Sequence, residues 1–300
     1  MKREQYLRRR LHTLHALNEA VSAMKSLSAH HFLQCRQALP AARAYRDEIE
    51  QAIADIGVTQ ALDVAVPTGL LLIVSDLGLC GDYNTRLVQA AIDEYRKEEQ
   101  GPIYCVGRRP RAALAGAGMT LKRIYHVPAS VDGLPGLLLD VAQDLLDDYT
   151  QRVMSRLYVV SARFEGAGCF SPIVTRLLPV EPTHSAKPLR PTPYQSGAHL
   201  VSVAVREFLY TTLYEILLDS LASEHGMRLL AAESARQWLD ETAETTRRQL
   251  ASSRREATTQ EVLDIVAGAK SNRSQGLASS LTTARFNPSR PLHAGQPGER

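Results

Sequence analysis

Cysteine is scarce in this sequence, and the four that occur are far apart, with no CxxC pair: Cys35, Cys80, Cys105 and Cys169. Such scattered cysteines exclude a disulfide framework and a cysteine-based zinc site, and they fit a reducing, cytosolic compartment. Long apolar runs are also absent, because no stretch of about 18 apolar residues occurs that could span a membrane. A net charge of only +3 in 300 residues gives no reason to expect nucleic-acid binding. The charged amino terminus lacks the apolar run of a secretory signal.

Proline is missing from the whole stretch between Pro193 and Pro288, and only Gly226 and Gly268 weaken a helix there. The stretch therefore predicts one helix over residues 199–269, on the order of 100 Å long. Its first part is apolar on almost every face, which is typical of a helix packed against other structure. These apolar residues are Leu200, Val201, Val203, Val205, Phe208, Leu209, Leu213, Ile216, Leu217, Leu218 and Leu221.

Beyond Glu224 the apolar surface of this helix narrows to a seam with alternating spacings of three and four, as for one stripe that faces a single partner helix. The seam residues are Ala232, Ala235, Leu239, Ala243, Thr246, Leu250, Ser253 and Ala257. Charged residues surround the seam, and a helix of this kind is marginal in water alone. We therefore expect a partner helix.

The partner is predicted at the other end of the chain, where Arg3 to Ile56 has a helical pattern that Pro40 could kink. One face of it carries Leu7, Leu11, Leu14, Leu17, Val21, Met24 and Leu27. The simplest interpretation pairs the two terminal helices as a long antiparallel coiled coil. The alternative is an ordinary helical hairpin packed on its own domain.

The middle of the chain alternates short apolar runs with helical segments, which predicts a Rossmann-like α/β domain with a mostly parallel sheet. The predicted domains are thus a helix over 1–60, the inserted α/β domain over 67–182, the long helix over 199–269 and a disordered tail over 270–300. The tail is rich in Ser, Gly, Pro and Asn.

The loop of residues 75–84 follows the first predicted strand, at the place where doubly wound folds bind ligands. It matches neither GxGxxG nor a phosphate-binding loop. Cys80 beside Asp76 suggests a nucleophile with a helper, although no histidine has a place in that scheme. The favoured alternative is a tight turn, in which glycines allow positive φ and Asp82 or Asn84 caps the next helix.

No other cluster predicts catalytic or metal-binding residues. His30 and His31 are adjacent, so their side chains point about 100° apart and cannot share a metal as an i, i+4 pair does. Asp144, Asp147 and Asp148 are predicted to form a solvated helix face.

Three stretches nevertheless resemble the gamma subunit of F-type ATP synthases, the central rotor shaft. Residues 18–25 (NEAVSAMK) are similar to the family's Thr-x-Lys-Ile-Thr-x-Ala-Met run in the first helix. Residues 75–84 (SDLGLCGDYN) are close to Ser-Asp-x-Gly-Leu-Cys-Gly-Gly-x-Asn. Residues 259–269 (TQEVLDIVAGA) resemble the closing Thr-Gln-Glu-Leu-x-Glu-Ile-Val-x-Gly-Ala, the most specific of the three.

The resemblance implies a non-catalytic subunit, present once per complex, whose paired helices rotate inside the hexamer of alpha and beta subunits. It implies that ATP, ADP and Mg²⁺ bind to those partners, and that the α/β domain lies near the epsilon subunit and the membrane rotor ring of c subunits. The subunit would couple ion flow to ATP synthesis or hydrolysis as a peripheral membrane protein on the cytoplasmic face. The ion, H⁺ or Na⁺, would be set by ligands in the membrane ring. We expect the stretch around Tyr194 to meet that ring.

Matching positions carry over from the family motifs residue by residue. Contacts with the nucleotide-binding ring are expected from Met24, Lys25, Arg254, Arg255, Gln260 and Glu261. The matching positions of the α/β-domain loop are Asp76, Gly78, Cys80, Gly81 and Asn84.

The sequence also departs from the family pattern. Arg255 and Glu256 stand where Gln and Ala are usual, Asp82 replaces the second glycine of the loop, and Ala20 replaces a lysine. The chain continues well past Ala269, where family members generally end. These departures suggest a divergent branch, such as an alternative ATPase.

Two hypotheses from other classes stay open on the sequence. The first is an α/β enzyme with its site at Asp76–Cys80 and the helices as a dimerisation arm. The second is a free coiled-coil scaffold with a basic tail.

Overall fold

The computed structural model describes residues 2–56, 66–97, 100–128, 130–180 and 197–283. Two long helices begin and end this part of the chain, α1 (Lys2–Ile56) and α5 (Gly197–Thr283). Between them lie β1 (Thr68–Ile73), α2 (Tyr83–Tyr95), β2 (Gln100–Val106), α3 (Arg111–Gly116), β3 (Leu121–Tyr125), a 3-10 turn (Val131–Gly133), α4 (Leu134–Thr150), β4 (Arg156–Gly166) and β5 (Cys169–Leu178). The predicted α/β architecture with long terminal helices is confirmed.

The five strands form one sheet in the order β3-β2-β1-β4-β5. Strand β1 is central and parallel to β2 and β4, and all six of its residues are buried, as expected for a strand covered on both faces. Strand β3 continues the parallel set, whereas β5 pairs antiparallel with β4. The β4–β5 turn uses Gly168 at φ +78°, a conformation that glycine adopts without strain. The predicted, mostly parallel sheet is confirmed.

Helices cover both faces of the sheet. One face packs against α2 and α3 through residues such as Leu87, Ala91 and Leu114. The other face packs against α4 and against the inner parts of α1 and α5, where Cys35 and Leu213 lie in the same apolar cluster as β-strand residues. The middle parts of both long helices are thus core elements of the α/β domain.

Helix α1 passes through Pro40 without a break. A proline in a helix removes one backbone hydrogen bond, which leaves the carbonyl four residues earlier without its partner. Pro40 lies on the exposed face of α1, between the buried Leu39 and the buried Ala42. Water can therefore hydrate the released carbonyl, and the apolar face stays packed.

Helix α5 continues to Thr283, beyond the predicted end at Ala269. The predicted tail over 270–300 is therefore wrong for residues 270–283, which are helical, and residues 284–300 lie outside the described part. The Ser, Asn and Gly residues of this stretch lower helix propensity but keep their backbone N–H groups. Tyr194 also lies outside the described residues.

The chain divides into two compact units, which differ from the predicted division. A globular unit comprises Leu17–Trp238, and a helix-pair unit comprises Met1–Ala16 with Leu239–Arg300. The globular unit includes much of both long helices because their apolar faces complete its core. For these inner parts, the alternative of a hairpin packed on its own domain describes the molecule well.

In the helix-pair unit, the ends of α1 and α5 run antiparallel. Arg254 Nε lies 3.1 Å from Glu4 Oε1, and Arg247 Nη2 lies 3.1 Å from His15 Nε2. Residue numbers therefore increase along α1 in the direction in which they decrease along α5. Predicted seam positions are buried on both helices: Leu7, Leu14, Leu239, Ala243, Thr246 and Leu250.

The predicted seam is wrong at two positions of α1 in the globular unit, because Leu17 and Leu27 are exposed. Ser28, His31 and Cys35 take inward positions there instead. The buried Leu7, Leu14, Ser28 and Cys35 are separated by multiples of seven residues. The predicted apolar positions recur more often than once per helical turn of 3.6 residues, so they move off this face along the helix.

Candidate functional site

The loop after β1 is held in shape by one side chain, Asn84. Its Oδ1 accepts a hydrogen bond from the backbone N–H of Ser75 at 3.0 Å, and its Nδ2 donates to Ser75 Oγ at 2.7 Å and to Cys80 Sγ at 3.2 Å. Gly81, at φ +59°, reverses the chain before α2. Asp82 occupies the cap position without a side-chain bond. The predicted capping role of Asp82 or Asn84 is therefore wrong, because Asn84 ties the loop to the end of β1.

An ion pair from α5 closes this loop. The side chains of Glu224 and Arg228 are 7% and 3% exposed and pair with each other one helical turn apart. Arg228 Nε also donates to the carbonyl of Gly78 at 3.3 Å, and Arg228 Nη2 to that of Leu77 at 3.5 Å. Burial raises the pKa of Glu224, and Arg228 opposes that shift.

This arrangement places a guanidinium of the chain itself over the loop where a doubly wound fold usually binds its ligand. Arg228 Nη1 further contacts Nδ1 of His225 at 3.3 Å, and burial lowers the pKa of His225 to about 3, so this ring accepts the bond in its neutral form. Our sequence analysis missed these residues. The signal was present as two opposite charges four residues apart within an otherwise apolar stretch.

Cys80 and Asp76 do not form a nucleophile with a helper. Cys80 is 2% exposed, and burial raises the pKa of its thiol. The Asp76 carboxylate instead accepts from the backbone N–H of Arg108 at 2.8 Å, and it lies 3.5 Å from Nδ1 of His126. The geometry gives no support to the enzyme hypothesis at this loop.

The remaining clusters also do not form a site. His31 stacks near His225 with ring centroids 5.1 Å apart, and no group of three or more metal-ligating side chains occurs in the described part of the chain. The prediction of a solvated acidic face on α4 is wrong for two residues. Asp144 pairs with Arg123, and Asp148 with Lys122, because the neighbouring strands β2 and β3 bring basic and tyrosine side chains to them.

The candidate ring-contact residues fall in both units. In the globular unit, Met24 is half-buried, and Nζ of Lys25 lies 2.5 Å from Glu233 Oε2 on α5. Lys25 and Arg236 together lower the pKa of Glu233. Lys25 is thus engaged within the chain rather than projecting freely.

In the helix-pair unit, Arg254 bonds Glu4 across the helices, whereas Arg255 Nε donates to the carbonyl of Ala251 at 3.4 Å. Gln260 Nε2 donates to Asp264 at 2.9 Å, and Glu261 is exposed. The apolar residues of the same motif are exposed as well: Val262 at 54%, Leu263 at 55%, Ile265 at 71% and Val266 at 47%. Consecutive apolar residues point in different directions around a helix, so this segment is unburied on several sides.

A further apolar hollow of about 490 Å³ lies on the globular unit. Its walls are small and aromatic side chains from α1, α4 and α5: Ala38, Ala41, Ala42, Tyr45, Leu138, Tyr210, Thr211 and Tyr214. Its rim carries the Tyr45 hydroxyl, which donates to Glu207 at 2.9 Å. No described helix has the combination of length and apolar character needed to cross a bilayer.

The family model described as ATP synthase matches residues 4–271. The chain belongs to this family. Among curated relatives, the ATP synthase gamma chain of Saccharopolyspora erythraea is 28% identical over 300 residues, covering 90% of this chain and 97% of the relative. That of Pelotomaculum thermopropionicum is 25% identical over 275 residues, covering 88% and 96%. The resemblance to gamma subunits is confirmed.

Solved structures agree on the fold of this ATP synthase family member. A chain in the mitochondrial ATP synthase of Euglena gracilis superposes with a TM-score of 0.64 at 14% identity, covering 97% of this chain and 99% of the other. A chain in the structure of the central stalk and c-ring of the Tetrahymena thermophila mitochondrial ATP synthase gives a TM-score of 0.52 at 19% identity, covering 72% of this chain and 99% of the other. The family match ends at residue 271, within helix α5.

Proposed function

We propose that this chain is the gamma subunit of an F-type ATP synthase, a central stalk that turns inside the hexamer of alpha and beta subunits. The observation that carries the proposal is the closing motif, whose apolar residues are exposed on several sides of α5. Apolar side chains exposed on several sides of a helix are unfavourable in water, whereas protein surrounding the helix would bury them on all sides. The family match and the relatives described as ATP synthase gamma chains support the proposal.

The helix-pair unit supplies the moving surface in this proposal, and we propose that α1 and α5 form an antiparallel coiled coil there. Arg247, Arg248, Arg254 and Arg255 concentrate positive charge on one side of α5, because residues seven apart lie on the same face of a helix. Each catalytic subunit would therefore meet a different face as the stalk turns. A contact shifts a subunit between open and closed states only by the difference in its free energy between those states, and an asymmetric helix pair provides that difference.

The contacts with the ring are proposed for Met24, Lys25, Arg254, Arg255, Gln260 and Glu261. The loop positions Asp76, Gly78, Cys80, Gly81 and Asn84 are proposed as a rigid mount that Arg228 fixes to α5. No nucleotide is needed on this chain in the proposal, since ATP, ADP and Mg²⁺ would bind to the partner subunits.

The globular unit is proposed to face the epsilon subunit and the membrane ring of c subunits. The apolar hollow walled by Ala41, Tyr210 and Tyr214 is of the size and composition that suit an apolar side-chain cluster of a partner. We assign it to the epsilon subunit. The complex would lie on the cytoplasmic face of the membrane and couple ion flow to ATP turnover.

Reconstitution tests the proposed function. We would mix the chain with the two ring subunits of its own organism, separate the complexes by size exclusion and assay ATP hydrolysis. We expect one chain per six ring subunits, and a loss of stimulated hydrolysis when the chain is truncated after Leu250. A truncation after Ala269 is the matched control, because it keeps the closing motif and should retain activity.

Two outcomes contradict the proposal. One is the absence of any complex between the full chain and the ring. The other is equal stimulation of hydrolysis by both truncated chains, because the exposed motif would then have no part in coupling.

A further inference from the structure

Glu4 stands at the centre of a small charged cluster in the helix-pair unit. Its Oε1 accepts from Nη2 of Arg8 at 2.6 Å and from Nε of Arg254 at 3.1 Å. Both arginines lower the pKa of the Glu4 carboxyl, with Arg8 the larger cause. Glu4 thus joins its own helix, α1, to one particular side chain of α5.

This ion pair adds little to folding, because exposed salt bridges contribute almost nothing measurable to stability. The side chain of Arg254 is 53% exposed. The apolar contacts of the seam already hold the helices together here, through Leu7 and Leu250, both nearly buried. The bond between the Glu4 carboxylate and Arg254 of α5 therefore points to a role other than stability.

The way in which Arg254 is held suggests that role. An arginine has five N–H donors, and the bond to Glu4 uses only the one at Nε. Within the described residues, the two terminal nitrogens of Arg254 hydrogen-bond to nothing. A guanidinium fixed at Nε therefore presents a planar pair of terminal N–H groups, which is the geometry that binds a carboxylate through two parallel bonds.

The charge of the cluster favours the same kind of ligand. Arg3 lies 3.9 Å from Glu256 at this end of the helix pair. Three guanidinium groups (Arg3, Arg8 and Arg254) thus face two carboxylates (Glu4 and Glu256), and the cluster keeps one positive charge in excess. An incoming carboxylate would neutralise that excess.

We propose that Glu4 is a positioning residue, which holds Arg254 by Nε so that its terminal nitrogens are directed at an acidic side chain of the surrounding ring. This inference rests on the proposed function, and it adds a residue outside the three motif stretches. Free rotation of the Arg254 side chain would cost conformational entropy on binding, and the bond to Glu4 removes part of that cost in advance. Glu4 acts only through Arg254.

A double-mutant cycle tests the inference in the full chain. A fluorophore on Cys169, the exposed cysteine, would report binding to the ring by anisotropy, with E4Q, R254Q and the double variant compared with wild type. We expect E4Q to weaken binding roughly 3- to 10-fold, R254Q to weaken it by more, and the double variant to equal R254Q. Glu256→Gln is the matched control, since it raises the positive charge of the same cluster by as much as E4Q does but does not touch Arg254, so it should not weaken binding.

Thermal unfolding of each free chain separates positioning from folding, because a purely structural role would change the melting temperature along with the affinity. An unchanged affinity in E4Q, or the same loss from E4Q with and without Arg254, overturns the inference while the wild type still assembles. If the wild-type chain does not bind the ring at all, the proposed function fails, and the inference fails with it.

Discussion

The two units of this chain treat the same kinds of residue in opposite ways. In the globular unit, charges on α5 are buried and paired within the chain, as in Glu224 with Arg228 and Asp219 with Arg43. In the helix-pair unit, the charges of α5 are largely exposed, and only a thin seam of small side chains is buried. One continuous helix therefore serves as a core element in one unit and as an open surface in the other.

This difference indicates that the surface available to partners lies mainly in the helix-pair unit. In the globular unit, Asn84 and Arg228 hydrogen-bond to the loop after β1, and three of the cysteine thiols are buried, so neither the loop nor these thiols offer a reactive group to a substrate. The closing motif of α5 leaves large apolar side chains in water, which is unfavourable unless a partner covers them. Thiol reactivity and stability measure the first property in the globular unit, and assembly with a partner measures the second in the helix-pair unit.

The largest expected effect is in thiol reactivity. Burial raises the pKa of Cys35 and of Cys105 to about 12 each, and raises that of Cys80. Because the thiolate is the reactive form, a thiol with a pKa near 12 should react roughly 3,000-fold more slowly at neutral pH than a free cysteine of pKa about 8.5. Alkylation followed by mass spectrometry should therefore label Cys169 first. Rapid labelling of Cys80 in the folded chain would revive the enzyme hypothesis.

Removing Arg228 should destabilise the globular unit more than any surface change. R228M leaves the Glu224 carboxylate buried without its partner, which costs about 3–5 kcal/mol of unfolding free energy. Urea denaturation measures that loss. R248M is the matched control, because the Arg248 side chain is 80% exposed, and it should change stability by less than about 0.5 kcal/mol.

The pH dependence of R228M provides an internal check. Burial raises the pKa of the Glu224 carboxyl in the folded chain, so its ionised form destabilises the fold at neutral pH. This penalty disappears when the pH falls below the pKa that the carboxyl has in the unfolded chain. The deficit of R228M should therefore shrink as the pH falls from neutrality towards the ordinary glutamate pKa of about 4.3. A deficit that does not change with pH would mean that Glu224 is not the source of the loss.

A charge placed in the closing motif should affect assembly and spare folding. Ile265 is 71% exposed, so I265D should change the stability of the free chain by less than about 0.5 kcal/mol. In the proposed complex the aspartate would be buried in the ring, and we expect affinity to fall about 10- to 100-fold, or about 1.4–2.7 kcal/mol. V203D, at a half-exposed position of α5 in the globular unit, should assemble like the wild type. Equal assembly of I265D would refute the idea that a partner surrounds this motif.

Much of the architecture could be predicted because periodicity reports burial directly. The run at β1 corresponds to a fully buried strand, and most apolar residues in the first part of α5 pack into the core, since a side chain has to be apolar wherever water is excluded. The exact inward positions were less predictable. Leu17 and Leu27 fit the repeat but face solvent, because the choice of Ser28 and His31 as inward residues depends on what α5 presents to them.

Functional residues could be predicted from the sequence only where they lie in a stretch that matches a family motif. The roles of Arg228 over the loop and Glu4 beside Arg254 depend on contacts between residues more than a hundred positions apart, and no local pattern records such pairs. The end of α5 was misjudged for a related reason. Ser, Asn and Gly make a helix less favourable without forbidding it, so composition alone does not fix where the helix stops.

The smallest expected effect concerns Lys25, whose pairing with Glu233 decides whether its charge is available to a partner. The pKa of Glu233 is lowered, with Lys25 as the largest cause, so the pair stabilises the fold above the ordinary glutamate pKa and loses that contribution as the pH falls through the lowered value. K25M should therefore be slightly less stable than wild type at neutral pH and equal to it in acid, as measured by thermal unfolding across pH. R10M, at an exposed position of α1, would serve as a control for loss of charge alone. If K25M instead matched the wild type at every pH while losing affinity for the ring, the Lys25 charge would be available to a partner, as the exposed charges of the helix-pair unit are.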